Sequence, residues 1–282
     1  MNRIERSHAV LRPNTAASRP YSVLALHCSG ADGTQWQHLA NLLDPGTELI
    51  LPDLSGPEII ARGFDMYSFS LADEAGPLIE TLRSRAAPVH LVGHSFGGAV
   101  ALHIARKHPG LVASLCLYEP TAFSLLGRSG SEGSRLFAEI ERLTDAIEEA
   151  LDEDDQALAA QIFTDFWGGA GAWQALRRDR KNAMARWVPK CPLDFGALLY
   201  EVPGVPLPPA MPFTLIVGET SHRHTRAVAE LLLAEAPWAW SVEVQGAGHL
   251  GPFTCRNRVA ETVALHLQRC ANAVVHSARA SG

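Results

Sequence analysis

The feature that most constrains this chain is an alternation of short apolar runs with helical stretches. SVLALH (residues 22–27) is the unbroken apolar run made by a strand buried on both faces. ELILPDL (48–54) reads as a second buried strand, and PVHLVG (88–93) and LVASLCLYE (111–119) follow as a third and fourth. FTLIVGE (213–219) and WSVEVQG (240–246) complete the set. Helical stretches fall between them, from about Thr34 to Leu43, from Ser70 to about Arg85, and from Gly97 to Lys107. Two more run from Thr225 to Ala234 and from Arg256 to about Cys270, with a frayed tail expected from Ala271. Ser70 with Asp73 three residues on has the form of a capping box.

Strand, helix, strand in this order implies an α/β fold, a mostly parallel sheet covered by helices on both faces. The alternation stops between Pro120 and Pro212, where the pattern is helical and PGVPLPP (203–209) lies near the end. The expected organisation is a core of residues 1–119 and 213–282 with a helical cap of residues 120–212. Ligands of such sheets lie beyond the carboxyl ends of the strands, so a cap inserted there would roof the pocket.

Composition removes several alternatives. With 282 residues, 47% hydrophobic, the chain can bury one large core, with or without an appended subdomain. A net charge of -6 gives no basis for nucleic-acid binding, which needs clustered Lys and Arg. Cys28, Cys116, Cys191, Cys255 and Cys270 are odd in number and lack CxxC spacing, so neither a disulfide frame nor a zinc site is expected. Residues 1–20 lack the apolar run of a signal peptide, and no stretch reaches the roughly 18 apolar residues of a membrane span. These features point to a soluble cytoplasmic protein; its oligomeric state is left open.

GHSFGG (93–98) stands directly after a strand and directly before a helix. Gly93-His94-Ser95-Phe96-Gly97 matches G-x-S-x-G, in which a serine is pushed out of the sheet on a strained turn. Side chains at Gly93 or Gly97 would collide with the backbone there. The helix that follows directs its first N–H groups at the same spot, where negative charge can develop. By position, Phe96 N–H is one donor to such a charge, while His94 is expected to pack inward.

With these residues the chain resembles the α/β-hydrolases, over nearly its whole length. HCSG (27–30) resembles their oxyanion loop, PDLSG (52–56) the loop after the next strand, and GAGHLGP (246–252) the late histidine loop. The resemblance implies Ser95 as nucleophile, His249 as general base, and Ser29 N–H as the second oxyanion donor. Cys28 stands where the family usually has glycine, and it is expected to be structural.

The acid is less direct. The family's usual place, three residues beyond the glycine of FTLIVG, holds Ser221, which cannot carry the charge. Some relatives, certain haloalkane dehalogenases among them, carry the acid at the end of the strand after the elbow helix. That position is Glu119, with Glu219 as second choice. Pro120 is expected to hold Glu119 in an extended conformation.

The implied activity is serine hydrolysis of a small or medium hydrophobic carboxylic ester through an acyl-enzyme, with no metal or organic cofactor. Thioesters, lactones and carbon–carbon bonds next to ketones suit the same residues, and a non-catalytic ligand-binding protein on the same fold is the other class. Epoxide hydrolysis and dehalogenation are disfavoured, because those relatives need aspartate where Ser95 stands. His222 and His224 of SHRH read as a polar rim loop rather than a metal site. EEALDEDDQ (148–156) reads as a solvated helix end or loop, and LGRSGSEGS (126–134) as a mobile loop. FWGGAGAW (166–173) either lines the pocket roof or joins two cap helices.

Overall fold

A computed structural model of the chain describes residues 5–6, 21–202 and 204–280. The leader expectation for residues 1–20 lies, apart from Glu5 and Arg6, outside the described residues, as does Pro203 of PGVPLPP. The strands are β1 (Glu5–Arg6), β2 (Ser22–Leu26), β3 (Glu48–Ile50), β4 (Val89–His94), β5 (Val112–Tyr118), β6 (Phe213–Gly218) and β7 (Trp240–Val244). The helix α1 (Leu71–Arg83) falls between β3 and β4, and α2 (Ser95–Lys107) between β4 and β5. The helices α3 (Gly130–Asp152), α4 (Gln156–Gly168), α5 (Ala172–Ala175), α6 (Arg178–Trp187) and α7 (Cys191–Leu199) all fall between β5 and β6. The chain closes with α8 (Arg223–Glu235), α9 (Gly251–Thr254) and α10 (Arg256–Ala280).

The seven strands pair in the order β1-β7-β6-β5-β4-β2-β3, and every pairing is parallel. The two-residue β1, which the apolar runs did not signal, pairs with β7 through Glu5 and Val242. Alternate residues of each strand serve different layers. Leu24, Leu26, Leu91, Leu115, Leu117 and Leu215 join one apolar cluster, while Val23, Ala25, Val92, Cys116 and Ile216 join the other. Val259, Val263 and Leu267 of α10 pack in the second cluster. Each such buried aliphatic side chain contributes about 1.5–3 kcal/mol. The chain runs outward from β2 to β3, then returns to β4 on the other side of β2. The strand order therefore reverses between β2 and β4, where open α/β sheets bind their ligands.

The capping box of α1 is present, with Ser70 and Asp73 exchanging side-chain and backbone bonds. Three expectations are corrected. ELILPDL is not a fully buried strand: β3 is a three-residue edge strand with Glu48 exposed and Leu49 and Ile50 half-buried, and the chain leaves the sheet before Pro52, which has no N–H to give a ladder. The stretch 126–134 is no loop. A 3-10 helix (Phe123–Arg128) leads into α3 through Gly130, whose φ of +87° makes the left-handed turn between them. The closing helix does not end near Cys270 but continues to Ala280. The stretch from Thr34 is helical as expected, yet of 3-10 type, Gly33–Leu42, with Asp32 accepting from Thr34 N–H at its start.

The segment between β5 and β6 does not form a separate core. Leu136, Ile140 and Ile147 of α3, Trp167 of α4 and Phe195 of α7 share one apolar cluster with Leu24, Leu26 and Phe96 of the sheet layer. The acidic stretch 148–156 turns from α3 into α4 largely in solvent, as its charge implies.

Candidate active site

β4 ends at His94, and Ser95 begins α2 at a φ of +54°, in the left-handed region that costs a non-glycine residue about 1–2 kcal/mol. The tightness of the turn explains its glycines. A Cβ on Gly93 would lie 2.6 Å from Gly97 O, and one on Gly97 would strike His27 O. Only a bare backbone lets α2 start this close to the end of β2.

Three of the residues picked out from sequence meet at the carboxyl edge of the sheet. His249 Nε2 lies 3.0 Å from Ser95 Oγ, and His249 Nδ1 lies 2.9 Å from Glu119 Oε2. With Nδ1–H donating to Glu119, the Nε2 lone pair is left to accept the serine proton. All three are buried, Glu119 completely. The histidine also stacks on Trp167 of α4, ring centres 3.9 Å apart and planes 26° from parallel. FWGGAGAW joins α4 to α5, and its Trp167 places an indole against the imidazole.

Glu119 is not extended, contrary to the expectation from Pro120. Its φ is +42°. The conformation is held by four donors. Gly218 N–H (2.8 Å) and the Ser221 hydroxyl reach Oε1; the Thr225 hydroxyl (3.0 Å) and His249 Nδ1–H reach Oε2. A carboxylate so bound can sustain backbone strain of about 1–3 kcal/mol. Ser221, at the family's usual acid position, therefore donates to the carboxylate that Glu119 supplies from the neighbouring strand. Glu219 goes elsewhere: it is exposed, and its carboxylate accepts from Gly246 N–H at 2.8 Å.

The histidine loop is held from beneath. His94, expected only to pack, donates from Nε2 to His249 O at 2.9 Å while Nδ1 accepts from Gln35 Nε2 at 3.1 Å. Complete burial, with His249 alongside, keeps its pKa well below the ordinary histidine value, so it stays neutral. Tyr118 donates to Gly248 O at 2.6 Å. Neither role has a local sequence signal, because both partners lie more than 100 positions away.

Phe96 stands in the first turn of α2, whose N–H groups have no intrahelical acceptor. Ser29 lies in the loop after β2, and its hydroxyl donates to Asp194 of α7 at 2.6 Å. That loop is tied down by His27, which donates to Cys28 O (2.8 Å) and accepts from Leu54 N–H (2.8 Å). Cys28 fits without a left-handed backbone. Burial pushes its thiol pKa up to about 12, so it is no nucleophile at neutral pH. His222 and His224 bond to each other through their Nδ1 atoms at 2.8 Å, and His224 reaches Glu139 of α3 at 3.0 Å. Among the described residues no group of three or more His, Cys, Asp or Glu is arranged to hold a metal ion. Nor is any described helix long and apolar enough to cross a membrane.

Comparison with known proteins agrees with this architecture. The chain is 36% identical over 104 residues to Lipase LipV of Mycobacterium tuberculosis, covering 36% of this chain and 38% of that one. It is 33% identical over 101 residues to human monoacylglycerol lipase ABHD6, covering 35% and 30%. The chain thus spans about a third of the length of the curated relatives it matches. Among solved structures, a thermophilic esterase from Thermogutta terrifontis superposes with a TM-score of 0.61 at 20% identity, over 90% of this chain and 92% of that one. A structure from a study of Nitrososphaera gargenis carboxylesterases superposes with a TM-score of 0.66 at 18% identity, over the same 90% and 92%. At such identities the structural likeness concerns the fold. The family model described as the alpha/beta hydrolase family matches residues 23–262. That span takes in the elbow, the Glu119 strand and the histidine loop, and the chain belongs to the alpha/beta hydrolase family.

Proposed function

We propose that this chain is a serine hydrolase that cleaves a small or medium hydrophobic carboxylic ester through an acyl-enzyme. The observation that carries this reading is the unbroken hydrogen-bonded line Glu119–His249–Ser95, at 2.9 and 3.0 Å, ending at the first turn of a helix. His249 takes the Ser95 proton as Oγ attacks the ester carbonyl, and Glu119 offsets the imidazolium charge. Phe96 N–H and Ser29 N–H stabilise the tetrahedral oxyanion. His249 then protonates the departing alcohol, and a water activated by the same imidazole releases the acid.

In this reading residues 120–212 act as a cap over the acyl site. Phe123, Phe163, Trp167 and Phe195 form a linked aromatic group, with Phe123 stacked on Trp167 at 6.4 Å and Phe163 edge-on to Phe195 at 6.3 Å. Since Trp167 also touches His249, an apolar acyl chain is the matching ligand. The names of the relatives, lipases and esterases, support an ester as substrate.

The test is a fluorophosphonate probe together with a panel of p-nitrophenyl esters of increasing acyl length, applied to wild type and Ser95→Ala. Stoichiometric labelling of Ser95 and loss of every ester activity in the variant are expected. An unlabelled wild type with no activity on any ester would instead favour a binding protein.

A further inference from the structure

Beside the acyl-transfer residues lies a buried charge cluster that the chemistry above leaves unused. Lys190 ends a short 3-10 turn (Val188–Lys190) that runs into α7, and only 1% of its side chain is exposed. Its ammonium donates to Glu74 Oε2 of α1 at 3.2 Å and to Asp194 Oδ1, one helical turn on, over a shorter contact. The second oxygen of Glu74 accepts from Ser55 N–H at 2.8 Å, and the second oxygen of Asp194 accepts from the Ser29 hydroxyl at 2.6 Å. The ammonium also lies 4.7 Å from the centre of the Phe96 ring and 5.0 Å from that of Phe69. Burial works against the charge on Lys190, but Asp194 and Glu74 outweigh it and hold its pKa above the ordinary lysine value.

Apolar side chains of similar volume often stabilise a core as well as a buried ion pair does. This cluster touches both residues whose N–H groups are assigned to the oxyanion, Ser29 through Asp194 and Phe96 through its ring. We propose that Asp194 is a positioning residue for oxyanion stabilisation. Clamped by Lys190 to α1, it accepts a hydrogen bond from the Ser29 hydroxyl and so sets the direction in which Ser29 N–H points. This rests on the serine esterase reading given above. The hydroxyl proton of Ser29 is committed to Asp194, so the backbone N–H alone faces the oxyanion. Such donors act only at about 3 Å from the developing charge, and a loop displaced by half an ångström or so loses most of the effect.

The experiment compares Asp194→Asn, Ser29→Ala and the double variant of the full chain, with Ser95→Ala alongside. The readouts are kcat and KM on a p-nitrophenyl ester and the affinity for an alkyl trifluoromethyl ketone, which mimics the tetrahedral state. Each single variant is expected to lower kcat about 10- to 100-fold with KM within about threefold. Ketone affinity is expected to fall in step with kcat/KM. The double variant should be no worse than the more damaged single, because both remove one tether. Wild-type kcat in the single variants, or losses that multiply in the double, would overturn the proposal. If Asp194→Asn does not fold, Ser29→Ala, which leaves all three charges in place, decides alone by the same kcat and ketone criteria. Retained activity in Ser95→Ala would instead sink the serine reading, and the proposal with it, whatever the other variants do.

Discussion

Replacing Glu119 with glutamine tests the acid assignment, and the structure says which way the new amide must turn. The carboxylate accepts from a fixed backbone donor, Gly218 N–H, and from Ser221 on Oε1; it accepts from Thr225 and His249 Nδ1–H on Oε2. An NH2 group on the Oε1 side would aim an N–H at Gly218 N–H, a fixed backbone donor, and that amide N–H would go unpaired, while Gly218 N–H kept only its bond to Ser221 Oγ at 2.9 Å. A buried donor left unpaired costs about 1–3 kcal/mol. On the Oε2 side the conflicts resolve, because the Thr225 hydroxyl can give its proton to His222 O, 2.9 Å away, and the imidazole can change tautomer. Glutamine therefore settles with its NH2 toward His249 and makes Nδ1 an acceptor. The proton then sits on Nε2, facing Ser95, and the general base is lost. We expect kcat to fall about 10³- to 10⁴-fold, or about 4–5 kcal/mol of barrier, with folding stability lowered by only about 1 kcal/mol. Steady-state kinetics on a p-nitrophenyl ester, with urea unfolding followed by tryptophan fluorescence, measures both. Glu219→Gln, on an exposed carboxylate, should change the rate by no more than about twofold. A Glu119→Gln enzyme within tenfold of wild type would refute the reasoning, as would a Glu219→Gln enzyme showing the large loss.

Stability should fall in mild acid because of two buried histidines between the sheet and α10. His90 and His266 share the Ser114 hydroxyl at 2.7 and 2.8 Å, and burial lowers their pKa values to about 4 and about 3. Both lie below the ordinary 6.5, so the unfolded chain takes up protons that the folded one refuses. Their contribution is intact above pH 6.5 and is lost as pH falls toward 4, at about 1.4 kcal/mol per pH unit per site. Urea titrations between pH 6 and 4.5 should show this slope, and His266→Gln should reduce it by close to one proton; an unchanged slope would count against the assignment. Cys28 should resist iodoacetamide in the native protein at pH 8, since its pKa of about 12 leaves it almost wholly protonated. Rapid inactivation traced by mass spectrometry to Cys28 would contradict this. Trp167→Ala, which strips the ring from His249, should lower stability by about 3–5 kcal/mol and depress kcat as well as Tm. A fully active variant would show that the stacking has no part in placing the imidazole.

Much of this protein is dictated locally. Unbroken apolar runs can be satisfied only by burial on both faces, and helices between them can return the chain only in parallel. A serine flanked by Gly93 and Gly97 between strand and helix is legible because its neighbours in sequence create the turn. Glu119 could be proposed because Ser221, at the usual place, cannot hold a charge. Other features depend on partners far apart along the chain. The left-handed Glu119 overrides the preference that Pro120 imposes, because Gly218, Ser221, Thr225 and His249 hold its carboxylate together. His94 beneath the histidine loop and Trp167 over its ring arise from register and packing, not from any local pattern. Nothing in the sequence singled out Lys190 and Asp194, whose partners Glu74 and Ser29 reach them from 116 and 165 positions away. A strand's neighbours are set by which faces must leave water, whereas a hydrogen bond's partner is set by where the finished fold leaves an unpaired donor.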